Sequence, residues 1–172
     1  GKNGACSGCW CIHWRVPRSD YVAMRGDEAK AFFMRRVRKG PPPGVLAFEG
    51  EDAVGWLQIG PRADVPQWNS PRRVTAPLDV GDAEDESVWA ATCFFVKSSS
   101  RGRGVTDALL AGALRYAKAN GARVVEACPI DGKTGNVDAY VGLMPVFERV
   151  RFKEVARRKD NRPLMRKRLS AR

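Results

Sequence analysis

The clearest chemistry in the chain lies in six consecutive residues, Arg101-Gly102-Arg103-Gly104-Val105-Thr106. Glycines let backbone N–H groups approach a ligand with no Cβ in the way, and the unpaired N–H groups of a helix's first turn carry partial positive charge. Arg101 and Arg103 add full charges, so the stretch is suited to a phosphate or a pyrophosphate. Read blandly, it is a tight turn with solvated arginines. A second group, Cys6-x-x-Cys9-x-Cys11-x-His13, puts four soft donors within eight residues and raises the question of zinc. Residues 5–16 alternate like a strand, with Cys9, Cys11 and His13 on one side and Trp10, Ile12 and Trp14 on the other. A flat strand does not wrap i, i+2 and i+4 around one tetrahedral centre, and no second cysteine pair follows at ribbon spacing, so no metal is expected. These cysteines read first as small buried hydrophobes, with His13 packed, and alternatively as the border of a substrate pocket.

The elements that must position these residues follow from periodicity. Val88 to Val96 (VWAATCFFV) is a continuous apolar run of strand length, and Val105, Leu109, Gly112, Ala113 and Tyr116 recur at helical spacing until Asn120-Gly121. The bend therefore sits where a buried strand turns into a helix. Arg123 to Cys128 is a second buried strand ended by Pro129, and a right-handed crossover sets it parallel to the first. Upstream, Asp27 is the expected N-cap of a helix with Ala29, Phe32, Phe33 and Val37 on its apolar stripe, stopped by Gly40 and three prolines. Residues 45–48 and 54–59 read as a hairpin around Glu49-Gly50-Glu51-Asp52. Arg62 to Ser87 lacks a period and reads as a long loop, either a surface insertion or a segment offering Trp68, Asn69 and Arg72 to a substrate. Residues 130–137 form a loop, Asp138 caps a short helix running to Glu148, and residues 152–157 and 163–169 close as an antiparallel pair.

With 172 residues, 44% hydrophobic and 28% charged, the chain reads as a single domain spanning 1–172. No run approaches the ~20 apolar residues of a membrane span. Five cysteines without a secretory signal point to a reducing cytoplasm. The net charge of +11 is crowded toward the C-terminal end and suits anionic ligands, nucleic acid among them, or is simply a solubilising surface.

Strand, R-G-x-G-V, the helix continuing D-A-L-L-A-G-A-L, then N-G-A and a second apolar strand resemble the acetyl-CoA-binding core of the GNAT superfamily of N-acetyltransferases. Tyr140-Val-Gly142, Pro145-Val-Phe147-Glu148-Arg149 and Phe152 resemble that superfamily's last helix and following strand. The resemblance covers about residues 86–169, and Cys9-Trp10-Cys11 is similar to a motif of a bacterial subgroup. It implies an α/β fold: a mixed, mostly antiparallel central sheet with a parallel splayed strand pair and flanking helices. It implies acetyl-CoA as co-substrate, its pyrophosphate held by Arg101, Gly102, Arg103, Gly104, Val105 and Thr106, and its pantetheine arm against the free backbone of Phe95 and Val96. The partner is then an amine acceptor, small or macromolecular, and the reaction direct acetyl transfer.

That reaction needs a base for the amine, donors for the carbonyl oxygen and a proton for the leaving thiolate. Glu126, a carboxylate in an apolar strand, is the candidate base, unless it is ion-paired or turned outward; Glu86 is second. The chain departs from the superfamily pattern where Phe147 stands at the usual position of a proton-donating tyrosine, Tyr140 at the usual asparagine, Arg151 at a glycine and Ser99 at a glutamine or arginine. Tyr140 either replaces the acid or only contacts pantetheine. Cys128 lies near the expected thioester, as a buried thiol or a transient acyl carrier. Competing readings are a non-catalytic acyl-CoA-binding regulatory module and a basic nucleic-acid-associated protein.

Overall fold

The computed structural model describes residues 8–133 and 139–170. Its sheet has six strands in the order β1-β2-β3-β4-β6-β5. In chain order the elements are α1 (Arg18–Ala23), α2 (Asp27–Lys39), β1 (Gly44–Glu49), β2 (Asp52–Pro61), β3 (Val88–Val96), α3 (Val105–Ala119), β4 (Val124–Ala127), α4 (Met144–Arg149), β5 (Lys153–Arg157) and β6 (Pro163–Arg168). Every neighbouring pair is antiparallel except β3 and β4, which α3 connects. The mixed sheet with one parallel pair is the expected architecture.

That parallel pairing is short. It runs from Val88 opposite Val124 to Ala91 opposite Ala127 and stops, while β3 continues to Val96 with β2 alone as its partner. Pro129 ends β4 because it has no N–H to offer a ladder. The two strands therefore diverge, and the β3–β4 ladder does not extend to residues 92–96. A shift in the β2–β3 register, Gln58 opposite Cys93 but Ile59 opposite Ala91, marks a bulge at Thr92 just where the divergence begins.

Alternation along β2 and β3 gives the sheet two covered faces. Leu57, Ile59, Trp89 and Ala91 join Leu109, Leu110, Ala113 and Ala117 of α3, with Phe147 and Phe152, in one core. The opposite face carries Trp14, Val65, Trp68, Ala90, Cys128 and Leu164, and Ile12, Val16 and Ala29 pack beside it.

Three sequence expectations change here. Residues 8–16 are a succession of turns, not a strand, and Trp10 and Cys11 take left-handed conformations with φ of 45° and 55°. Asp27 is the first helical residue of α2, whose N-cap is Gly26. The segment after Arg62 is not a loose surface insertion: it makes short 3₁₀ turns that cover the sheet, with Trp68 fully buried. Asn69 exchanges hydrogen bonds with Arg62, whose Nε donates to Asn69 Oδ1 at 2.9 Å while Asn69 Nδ2 donates to the Arg62 carbonyl at 3.0 Å. Arg72 is exposed. Cys6 and Asp138 lie outside the described residues.

Candidate functional site

A cavity of about 780 Å³ opens where β3 leaves β4. Phe94, Phe95 and Val96 of β3 form one wall, and Tyr140, Gly142, Leu143 and Val146 another. Arg101 and Thr106 line it at the bend, and Cys9, Cys11, His13, Trp14, Tyr21, Arg25, Gln58 and Cys93 line it beneath the N-terminal segment. Phe95, Val96, Arg101, Thr106 and Tyr140, singled out from the sequence, are thus brought together. Cys9, Cys11 and His13 border the same space.

The bend has the geometry that its glycines require. Gly102 and Gly104 have φ of 73° and 77°, and a Cβ on either would meet nothing within 4 Å, so conformation rather than packing selects glycine. Gly104 is the N-cap of α3, no side chain caps that helix, and its first backbone bond runs from the Ala108 N–H to the Gly104 carbonyl at 3.0 Å. The first-turn N–H groups of residues 105–107 therefore have no acceptor within the helix. Asp107, the acid in that turn, is drawn off by Arg149 at 2.6 Å. Arg101 donates to the Val96 carbonyl at 3.3 Å, whereas Arg103 pairs with Glu49 at 3.1 Å and stays exposed. Val105 points into the core.

Neither Glu126 nor Phe147 lines the cavity. Glu126 is fully buried, one carboxylate oxygen bonded to Arg62 and the other to Arg166, whose Nε donates at 2.8 Å. It does not line the cavity. Both oxygens are occupied, which is the placement of a counter-ion rather than of a base that must meet substrate. Burial pulls the Arg62 pKa down to about 10, still charged at neutral pH. Phe147 is a core ring, 6.0 Å from Phe94 and 5.2 Å from Phe152 between centroids. Cys128 is buried with its thiol pKa raised by desolvation, as an inert thiol should be, and Glu86 is exposed at the far end of β3.

Three cavity residues escaped the sequence reading or were weighted differently. His13 sits edge-on to Trp14 at 4.7 Å and Tyr21 at 5.1 Å, and burial, aided by the charges of Arg73 and Arg18, lowers its pKa below 6.5. At neutral pH its imidazole is free of an added proton. Cys11 has its thiol pKa lowered, first by a hydrogen bond from Cys93 and then, against the opposing cost of burial, by Trp56 Nε1 donating at 3.3 Å and by Arg15. Gln58 projects from the middle of β2 with 1% exposure. A polar residue inside Val54-Gly55-Trp56-Leu57-Gln58-Ile59 is the signal that drew attention to Glu126, and the same signal applied to Gln58 finds the cavity.

The N-terminal segment is clamped in place from below. Arg36 is ion-paired to Asp64, and Arg15 donates to the Asp64 carbonyl at 2.8 Å, so α2 and the turns before it are tied to the end of β2.

A model of the acetyltransferase (GNAT) family matches residues 10–142. An N-acetyltransferase from Staphylococcus aureus Mu50 aligns at 17% identity over 81% of this chain and 73% of its own, with a TM-score of 0.51. The ribosomal-protein-alanine N-acetyltransferase of Brucella melitensis aligns at 20% over 83% and 78%, with a TM-score of 0.54. The yncA protein of Salmonella typhimurium, solved with its cofactor acetyl-CoA, aligns at 16% over 84% and 73%, with a TM-score of 0.53. At these identities the likeness is one of fold. No curated protein matches the sequence.

Proposed function

The chain belongs to the acetyltransferase (GNAT) family, and from that premise we propose that it is an acetyl-CoA-dependent N-acetyltransferase carrying acetyl directly from the thioester to an amine. The observation that carries this reading is the continuity of one cavity from the glycine bend to the N-terminal segment, along a β3 edge that β4 has left. The pyrophosphate of acetyl-CoA lies at Arg101 to Thr106, against the uncapped first turn of α3, and the pantetheine arm follows Phe95 and Val96. The thioester supplies an activated acyl group with a good leaving thiolate.

The protein then has three tasks. His13, neutral at pH 7, takes a proton from the acceptor amine, directly or through water; the role first considered for Glu126 passes to it because Glu126 is engaged by two arginines. As the amine nitrogen bonds to the carbonyl carbon, the oxygen gains negative charge and the β3 edge beyond the bulge offers N–H donors to it. The C–S bond breaks, and the Tyr140 hydroxyl protonates the departing sulfur.

Tyr140→Phe tests the last step. Turnover falls at least tenfold while acetyl-CoA affinity, read by calorimetry, stays within twofold; unchanged turnover removes Tyr140 from the role. The buried Phe147 at the family's usual acid position favours a second reading, a module that binds acyl-CoA without turning it over. Acetyl-CoA binding with no amine-dependent thiol release across a broad amine panel would establish that one.

A further inference from the structure

Among the described residues, Gln58 has both amide atoms, Nε2 and Oε1, without a hydrogen-bond partner, and Trp14 Nε1 is in the same condition. Both side chains are at least nine-tenths buried, 1% and 5% exposed, and both line the cavity. Buried polar atoms without partners are uncommon, because each forfeits its hydration for nothing in return. The two amide atoms are equally orphaned, so one unmet donor and one unmet acceptor remain whichever way the amide is turned. They have a reason to persist where a ligand supplies the missing bonds.

We propose that Gln58 and Trp14 recognise the acceptor, and that this acceptor is an amino acid, with its amine beside a carboxylate. The proposal deepens the acetyltransferase reading of this cavity and rests on it. Gln58 offers one donor and one acceptor a single carbon apart, and an α-amino acid offers the complement: an amine N–H for Oε1 and a carboxylate oxygen for Nε2. Trp14 Nε1 adds a second donor for the carboxylate. Gln58 sits between ladder partners on both sides, Gly44 of β1 and Cys93 of β3, so the backbone that carries its amide is fixed before the ligand arrives.

Charge points the same way. Arg25 lines the cavity over the Tyr21 ring at 5.4 Å, Arg101 lines it at the bend, and no carboxylate is among the described lining residues. His13 is held neutral beside these groups. Aromatic walls of Trp14, Tyr21 and Tyr140 limit solvent screening, so an anionic acceptor is attracted and a polyamine finds no counter-ion.

The test is calorimetric titration of the CoA-bound protein with the proteinogenic L-amino acids and with the amines that remain when each loses its carboxylate, such as phenylalanine against phenethylamine. At least one amino acid binds, tenfold or more tighter than its amine, and Gln58→Leu weakens it at least tenfold with acetyl-CoA affinity unchanged. Thermal unfolding separates recognition from architecture: Gln58→Leu removes an orphaned amide and leaves the melting temperature equal or higher. A clear drop in melting temperature means that internal water satisfies the amide, which overturns the proposal, as does equal binding of amines and amino acids. Trp14→Phe, which keeps the ring and removes the N–H, gives the same loss of affinity should Gln58→Leu fail to fold. Acetyl-CoA binding without amino-acid binding defeats this inference and leaves the transferase reading standing; absence of acetyl-CoA binding defeats both.

Discussion

Proton affinity at His13 is set by what surrounds it. Burial and two nearby arginines disfavour its charged form, so its pKa lies below 6.5 and the base form is present at neutral pH. The sign of the consequence follows. As pH falls through that lowered pKa the base is lost, and kcat/KM acquires an acid limb below pH 6.5. In His13→Gln that limb disappears and the rate drops by about 10²-fold, the usual worth of a positioned base. Ionisation of the acceptor amine shapes the alkaline side of both profiles equally, so the comparison isolates the imidazole. The depressed pKa also ties protonation to unfolding: the stability it contributes is present above 6.5 and declines in acid. Cys11 makes a parallel case with opposite sign of charge. Its thiolate is favoured by donors from Cys93 and Trp56, whereas desolvation keeps Cys128 a thiol. Iodoacetamide at pH 7 therefore alkylates Cys11 at least tenfold faster than Cys128, measured by peptide mass spectrometry, and equal rates would refute that assignment.

At the scale of elements, the site depends on where strands stop. β4 ends at Ala127, two residues before Pro129, β3 runs on, and α3 begins after a left-handed glycine, so the edge that β4 leaves and an uncapped helix end lie at the same cavity. Gly104→Leu puts a side chain where φ is 77° and costs about 1–2 kcal/mol in backbone strain. Its Cβ meets no protein atom, so the fold survives and the added bulk falls on the ligand. Acetyl-CoA affinity drops at least tenfold, with urea unfolding still cooperative; retained affinity would displace the pyrophosphate from the bend. Most of this was legible in the sequence because β3, α3 and β4 follow one another directly and each carries its own periodicity. What was not legible has a common cause. Residues 8–16 alternate like a strand, yet two successive left-handed residues break them into turns, and nothing in the pattern of apolar residues encodes that. Residues 62–87 have no period because they are held by tertiary contacts, Trp68 against Trp14 at 5.0 Å and Asn69 against Arg62, and not by local ladders. Partners of this kind lie far apart in the chain and become visible only when it is folded.

Across the whole molecule, one buried ionic network joins the parts that local patterns leave separate. Arg62 follows β2, Glu126 is in β4, Arg166 is in β6, and Asp82, in the covering segment, takes Arg166 at 2.6 Å. Glu126 therefore sits between two cations drawn from opposite sides of β4. Removing its charge leaves Arg62, fully buried, without its anion. Breaking such a pair from one side costs about 3–5 kcal/mol, whereas replacing both partners by apolar side chains of similar volume is often near neutral. Glu126→Gln accordingly lowers the urea midpoint by that margin, and Arg62→Met with Glu126→Leu recovers much of it. This series also decides between the two roles open to Glu126. As an anchor outside the cavity, its substitution leaves kcat/KM within about threefold of the parent when assayed where the variant is fully folded. As the catalytic base, it would lose about 10²-fold in rate with the pH profile flattened. The fold places the glutamate where stability should respond and the rate should not, so a large kinetic loss in a stably folded Glu126→Gln would return the proton transfer from His13 to the sheet interior.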